Sequence, residues 1–196
     1  MITNAGQGMI QRTDPDRCTI SFERRLPARI ERVWAALTVP AELTGWLADS
    51  SVDLRLGGTI IRDFDPDHDD LQVSGTILAL DPPTALEYEW RFRGETESTL
   101  RYDLVADGEW TLLTLTHRLL GVDQAAGYGA GWHAHLAALD AVLAGSQPAD
   151  WTTGFAAHLP TYKAVLEGQL FAPRRARRRD PIAATRCPEG PTPSIR

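Results

Sequence analysis

The sequence predicts one α+β domain over residues 17–171, in which a curved antiparallel sheet wraps a long helix. Five strand-like runs follow one another between residues 59 and 119, and glycine, proline or aspartate marks each turn. Connections this short can only form hairpins, so the strands should make an antiparallel meander. An apolar stripe over residues 131–144 then predicts a helix of about 21 Å, long enough to cover the sheet.

The elements before the meander follow from alternation and proline placement. Residues 17–26 alternate apolar and polar side chains, the period of a half-buried strand, and Pro27 ends it. Apolar residues then recur at helical spacing over residues 30–37 until Pro40 stops the helix. A second short helix is predicted over residues 42–47.

One face of the last three strands should be inward and rich in aromatic side chains. The stripe on the long helix would cover that face, and residues 145–171 should form a helical appendix that packs back on the body. The inward strand positions are Leu86, Tyr88, Trp90, Phe92, Leu100, Tyr102, Leu104, Leu113, Leu115 and His117, and the helical stripe is Trp132, Leu136, Leu139 and Leu143.

The two ends of the chain differ from the domain in composition. Residues 1–16 are polar and aperiodic, and residues 172–196 are rich in proline and arginine, so both are predicted to be disordered. The net charge of −6 combines about +5 in the tail with about −11 before it. The acidic body would repel a phosphate backbone, which argues against nucleic acid as the main ligand.

The composition also indicates where in the cell the protein is expected. Hydrophobic residues make up 43% of the chain, enough for a core, yet no window approaches the roughly 18 apolar residues of a membrane span. No secretory signal pattern opens the sequence, and Cys18 and Cys187 make a poor disulfide pair. A cytoplasmic protein without a membrane span is therefore expected.

Six short phrases in order resemble the START-like superfamily, also called SRPBCC. They are Arg24–Thr38 with its Val-Trp-Ala-Ala-Leu-Thr ending, Gly45-Trp46, Leu56-Gly57-Gly58, Gly75-Thr76-Ile77 followed by Asp81-Pro82-Pro83, Leu113–His117 and Gly131–Leu139. Together they are most similar to the C-terminal domain of the activator of the Hsp90 ATPase. The resemblance covers about residues 17–170 and implies the helix-grip fold, also called Bet v 1-like. It does not imply a particular function, because proteins with many different functions share this fold.

A strongly bent sheet cannot lie flush on a straight helix, so a cavity is predicted between them. Its mostly aromatic wall suits a small hydrophobic molecule such as a lipid, polyketide or aromatic metabolite, bound without a cofactor. The alternative is that the same side chains fill the core completely. The candidate ligand-binding residues are Trp46, Phe64, Trp90, Tyr102, His117, Trp132 and Leu136.

No catalytic constellation is predicted, although His117 could bond a ligand oxygen or move a proton as well as serve as a satisfied core histidine. The resemblance leaves two alternatives to a noncatalytic binding protein. One is a polyketide cyclase or aromatase in which His117, Tyr102 or Glu89 transfers protons. The other is a stress-related cochaperone-like interaction module. A homodimer is left open.

Three motif-like segments are interpreted as structural. His133 and His135 are two positions apart on the predicted helix, about 200° around its axis, and cannot converge on a zinc ion; His135 should be exposed. The acidic segment 63–70 lacks the glycine and glutamate of a calcium loop. The segment 127–131 lacks the lysine of a phosphate loop and should be a flexible lead into the helix.

Overall fold

The computed structural model describes residues 6–65, 67 and 71–171. In these parts of the chain the backbone forms eight strands and four helices. They are β1 (Met9–Arg12), β2 (Arg17–Leu26), α1 (Ile30–Thr38), α2 (Pro40–Leu43), β3 (Asp49–Val52), β4 (Thr59–Asp63), β5 (Gln72–Asp81), β6 (Ala85–Phe92), β7 (Ser98–Asp107), β8 (Trp110–Gly121), α3 (Ala125–Leu143) and α4 (Trp151–Phe171).

All eight strands belong to one antiparallel sheet in the order β1-β2-β8-β7-β6-β5-β4-β3. Strands β3 to β8 are neighbours in chain order, which is the predicted meander. The early strand β2 pairs with the last strand, β8, along its whole length, from Arg17 opposite Gly121 to Leu26 opposite Thr111. The predicted α+β class with a curved antiparallel sheet is confirmed.

The predicted inward face of the meander is buried. Register sets Tyr88 opposite Leu100, and Leu100 opposite His117, so their side chains lie on the same face. All of the predicted positions on this face are buried except Phe92, which is partly exposed at the end of β6. The outward positions between them carry the charges, as in the ion pair of Arg101 with Glu87.

Helix α3 lies between the sheet on one side and α4 on the other. Of the predicted stripe, Trp132, Leu136 and Leu139 are buried and Leu143 is partly buried, and Ala125 and Ala130 are buried as well. The helix therefore presents apolar side chains around most of its circumference. Two layers of helix thus cover the sheet, where the sequence predicts one long helix and a packed appendix.

The prediction of disorder over residues 1–16 is wrong for residues 9–12, which form strand β1. Ile10 pairs with Ile20 of β2 and is 2% exposed. The backbone N–H of Gly8 also donates to the hydroxyl of Tyr162 on α4, at 2.9 Å. A single buried apolar side chain is too weak a periodic signal to predict a strand, because the partners that hold β1 lie far along the chain.

Three further boundaries differ from prediction. Strand β3 was not predicted, since Asp49–Val52 has no apolar alternation. The second helix ends at Leu43, and turns continue to Leu47. Helix α3 begins at Ala125, so the segment 127–131 is helical instead of a flexible lead. Gly129 lets α4 pack closely on this part of the helix, because a Cβ there would lie 2.7 Å from the ring of Tyr162.

Gly75 allows a close approach of β5 to β6. An added Cβ would lie 1.7 Å from the backbone oxygen of Glu89 on β6. The backbone N–H of Thr76 donates to the Glu89 carboxylate, at 3.0 Å, instead of to a ladder carbonyl. The side chain of Thr76 is the largest cause of the lowered pKa of Glu89, and this backbone hydrogen bond also contributes.

We expect Gly75→Ala to lower the free energy of unfolding by about 2 kcal/mol, because the two strands must separate to admit the methyl group. Urea denaturation of the variant measures this. Gly168→Ala is the matched control, since a Cβ at that helical glycine meets no atom within 4 Å. The control should be stabilised by up to about 1 kcal/mol. Equal stability of the two variants would contradict the role of Gly75 in the close approach of β5 and β6.

No helix among the described residues is long and apolar enough to cross a membrane. The predicted disorder of residues 172–196 and the position of Cys187 lie outside the described residues. Cys18 is fully buried with a free thiol, and burial raises its pKa.

Candidate ligand cavity

A cavity of about 830 Å³ lies between the end of the sheet and the helices, and opens to solvent on one side. The turn after α2, the ends of β4 and β6, helix α3 and the start of α4 form its wall. The predicted gap between the bent sheet and the helix that carries Trp132 is therefore present.

Four of the seven predicted site residues line this cavity: Trp46, Phe64, Trp90 and Trp132. Three do not. Tyr102, His117 and Leu136 are buried in the core beside it, at 1%, 0% and 0% exposure. Whether any of the seven binds a ligand stays a prediction, but the structure divides them into a cavity wall and a layer behind it.

The indole N–H groups of the three predicted tryptophans are already bonded within the protein. Trp46 donates to the carbonyl of Ala36 at 2.9 Å, Trp90 to the hydroxyl of Tyr128 at 2.9 Å, and Trp132 to Nδ1 of His117 at 3.0 Å. These bonds fix the orientation of the rings. They also leave the aromatic surfaces facing the cavity without a polar donor, so the wall is apolar to a ligand.

His117 is satisfied at both ring nitrogens. Its Nδ1 accepts from Trp132, so the proton of the neutral ring is on Nε2 and is donated to the hydroxyl of Ser98, at 2.9 Å. Ser98 in turn donates to the carbonyl of Trp90 at 3.2 Å. Burial lowers the pKa of His117 to about 3, so the ring is neutral at pH 7. The chain of bonds holds Trp132 and Trp90 in place.

Helix α4 and the far side of α3 contribute wall residues that the sequence analysis did not select. Trp151 and Phe155 stack with ring centroids 5.0 Å apart, and Tyr128 and His135 of α3 face the same space. The pair Trp151 and Phe155 is spaced i, i+4 on a helix, which is the signal that marks a shared face. No pattern within α4 indicates that this face meets the cavity.

The predicted surface exposure of His135 is wrong. Its ring lies 5.9 Å from Phe64 and 5.5 Å from Trp151, centroid to centroid, and its Nδ1 lies 3.0 Å from the carbonyl oxygen of Trp46. A carbonyl can only accept, so Nδ1 carries the proton and Nε2 keeps a lone pair. Burial lowers the pKa of His135 to about 4. Packing of α4 on α3 covers the side of the helix that was expected to face solvent.

His133 and His135 do not converge, as predicted. His133 stacks on His158 at 3.5 Å between ring centroids and bonds the Tyr162 hydroxyl at 3.0 Å, away from the cavity. Within the described ranges no three acidic, histidine or cysteine side chains gather at metal-binding distance. The acidic segment 63–70 is described only at residues 63–65 and 67, and its remainder lies outside the described residues.

The mouth of the cavity is acidic. Asp65, Glu95 and Asp123 line it, and the Tyr128 hydroxyl donates to the Glu95 carboxylate at 2.5 Å. Burial, and then this carboxylate, hold the pKa of Tyr128 well above its usual range. The hydroxyl therefore stays protonated and anchors α3 to the loop after β6.

The sequence matches the model of a known protein family. The family model described as Activator of Hsp90 ATPase homolog 1-like protein matches residues 27–144, more than half of the sequence. The chain belongs to this family. No curated protein matches the sequence. The matched region begins at Pro27 and ends one residue after α3, so α4 and the part of the cavity wall that it supplies lie outside the family match.

Solved structures of similar fold include CalU16 from Micromonospora echinospora, with a TM-score of 0.67 and 24% identity over 82% of this chain and 98% of CalU16. The product of gene BPP1335 from Bordetella parapertussis is 30% identical over 82% of this chain and 92% of its own, with a TM-score of 0.60. DynU16, from the dynemicin biosynthetic locus, gives a TM-score of 0.59 and 24% identity over 66% of this chain and 48% of DynU16. These similarities agree with the helix-grip fold.

Proposed function

We propose that this member of the Activator of Hsp90 ATPase homolog 1-like family binds a small, largely apolar molecule in the cavity and does not transform it. The observation that carries the proposal is an open cavity of about 830 Å³ walled by four tryptophans, three of which have their indole N–H groups already bonded. Cavities of this size and lining are typical of small-molecule sites.

The affinity should come from burial of apolar surface. A ligand that buries about 300 Å² gains about 7.5 kcal/mol at about 25 cal/mol per Å². Part of this gain offsets the loss of ligand freedom on association, so dissociation constants between about 10 μM and 1 mM are expected. Flat aromatic molecules suit the wall best, because Trp90 and Trp132 meet edge to face at 5.2 Å and present ring faces as well as edges.

The cyclase-like alternative has less support, because the groups predicted to move protons are not in the cavity wall. His117 is bonded at both nitrogens, and Glu89 points to the outer face, where it pairs with Arg91 at 2.6 Å. His135 is in the wall, but with its pKa lowered to about 4 it is a hydrogen-bond acceptor and a weak base at pH 7. The cochaperone-like role and the cytoplasmic location stay predictions.

Filling the cavity from α3 should abolish binding. Gly127 lines the cavity, and a Cβ added there meets no atom within 4 Å, so Gly127→Trp places an indole in the space without a clash at its root. We expect at least a tenfold loss of affinity for N-phenylnaphthylamine, a neutral dye that fluoresces in apolar sites, from about 1.4 kcal/mol of lost contact. Titration of the dye measures it.

Gly168→Trp is the matched control, since Gly168 is also helical and also has open space around its Cβ, but does not line the cavity. Its affinity for the dye should equal that of the unaltered protein. If the unaltered protein and Gly168→Trp both fail to bind the dye, the proposed function is wrong. It is also wrong if Gly127→Trp and Gly168→Trp bind the dye equally well.

A further inference from the structure

Arg62 is the most anomalous side chain in the described structure. It lies on β4, is 0% exposed, and no described residue accepts a hydrogen bond from its Nε, Nη1 or Nη2 atoms. Buried arginines normally pair with a carboxylate, because an unpaired guanidinium in the core is strongly destabilising. A cation–π contact with the Tyr88 ring stabilises the guanidinium in part: the ring centroid lies 5.6 Å from Cζ of Arg62.

Two buried tyrosines with unpartnered hydroxyls lie beside Arg62. Tyr88 and Tyr102 face each other from β6 and β7 with ring centroids 6.4 Å apart, and neither Oη meets a hydrogen-bond partner among the described residues. Burial, and then Tyr88, raise the pKa of Tyr102, while Arg62 acts in the opposite direction. Each hydroxyl can donate a hydrogen bond, and the five unpartnered polar atoms of the three residues form one cluster.

This inner cluster, Arg62, Tyr88 and Tyr102, lies directly behind the cavity wall. Phe64 and Trp90 line the cavity, and Arg62 and Tyr88 are the next side chains on the same face of the same strands, about 7 Å further along. The Phe64 and Trp90 rings, 6.2 Å apart, are the layer between them. Phe64 follows the last residue of β4 and is only partly buried, so it is the side chain of this layer with most room to move.

The donors of the inner cluster match one carboxylate. A carboxylate has two oxygens with about four lone-pair sites, and a guanidinium supplies two parallel N–H groups to it. The hydroxyls of Tyr88 and Tyr102 supply the other two donors. We propose that the ligand of this cavity is a hydrophobic carboxylic acid that displaces the Phe64 ring and pairs its carboxylate with Arg62, Tyr88 and Tyr102 behind it. This inference rests on the proposed function and adds the chemical class of the ligand.

The acidic mouth constrains how such a ligand behaves. Asp65, Glu95 and Asp123 repel an anion as it approaches, whereas the inner cluster attracts it once inside. Added salt screens the exposed mouth far more than the buried pair. The affinity for the acid should therefore hold or rise as salt is added, the opposite of binding at a surface arginine.

Naphthoic acid and naphthamide test the proposal, because they share one shape and differ in charge at neutral pH. Quenching of tryptophan fluorescence reports binding of either, since four tryptophans line the cavity. We expect the unaltered protein to bind the acid roughly tenfold to a hundredfold more tightly than the amide, as hydrogen bonds to a charged group provide. In Arg62→Met the preference should disappear, with amide affinity within about threefold of the original.

Arg62→Lys and Tyr102→Phe keep the test valid if Arg62→Met does not fold. The lysine retains the charge but not the paired N–H groups, and the phenylalanine removes one donor, so each should reduce the preference without removing it. The Tm of the ligand-free Arg62→Met protein should rise, because the unpaired charge is gone.

The outcomes separate the two proposals. Binding of the amide with no preference for the acid, or an acid affinity that falls steeply with salt, overturns the inference and leaves the proposed function standing. A preference that persists in Arg62→Met also overturns it. Failure of both probes and of the neutral dye overturns the proposed function itself.

Discussion

Replacement of Trp132 by alanine is expected to lower the free energy of unfolding by about 4 kcal/mol, the range found for large aromatic side chains removed from a core. Trp132 is 2% exposed and contacts the rings of Trp90, His117 and His135. The indole N–H also supplies the donor that fixes the His117 tautomer. Its loss enlarges the cavity and leaves Nδ1 of His117 buried without a partner.

Trp132→Phe separates the two contributions. Phenylalanine keeps most of the aromatic contact but lacks the N–H, so it should cost about 1–3 kcal/mol, the price of one buried unsatisfied acceptor together with a small void. Urea denaturation at pH 7 measures both variants, and N-phenylnaphthylamine binding to Trp132→Phe shows whether the wall is retained. A phenylalanine variant as unstable as the alanine variant would mean that the hydrogen bond, and not the packing, holds the wall.

Sequence periodicity predicts some of the residues that form the cavity wall, including Trp132. Apolar alternation in β6 and apolar helical spacing in α3 each predict which side of the element faces the core. Both patterns assign Trp90 and Trp132 to that side, and both residues are buried. Phe64 and Trp46 followed from the strand and helix beside them. Periodicity within one element therefore predicted the part of the cavity that the sheet and one side of α3 supply.

The rest of the cavity depends on contacts between distant elements. His135 was expected to be exposed because an amphipathic helix has one buried side, but α4 covers the other side of α3. Trp151 was assigned to an appendix, since no pattern within α4 specifies which helix it packs against. Tyr128 lies in the glycine-rich segment that was expected to be flexible, and the glycine that allows the close approach of Tyr162 is read only from the packed structure.

The alternation in β4 is sufficient to predict that the Arg62 side chain points inward. Ile60, Arg62 and Phe64 alternate with outward residues on β4, so a strand over 59–65 places Arg62 inward. An inward charge in an otherwise apolar series is a conflict between local pattern and burial, and such conflicts are expected at functional sites. The clustering of Arg62 with Tyr88 and Tyr102 could not be predicted, because it requires the register across the four strands β4 to β7.

Acid should destabilise the protein well above the pH at which carboxylates protonate. Burial lowers the pKa of His117 to about 3 and that of His135 and His133 to about 4. The unfolded chain binds these protons near pH 6.5, so the stability is complete above that pH and is lost as the pH falls toward the folded values. At pH 5 the loss is about 2 kcal/mol for His117 alone, and about 5 kcal/mol for the three together, allowing for the partial exposure of His133.

Urea denaturation between pH 7 and pH 5 measures this loss, and His117→Gln tests its main source. The amide can accept from Trp132 and donate to Ser98 but does not titrate, so the variant should be less stable at pH 7 and yet lose stability less steeply with acid, by about 1.4 kcal/mol per pH unit. A slope equal to that of the unaltered protein would show that His117 is not the buried proton acceptor. Because His117 and His135 stay neutral in the folded protein down to about pH 3 and pH 4, binding of the neutral dye to the folded protein should be unchanged between pH 7 and pH 5.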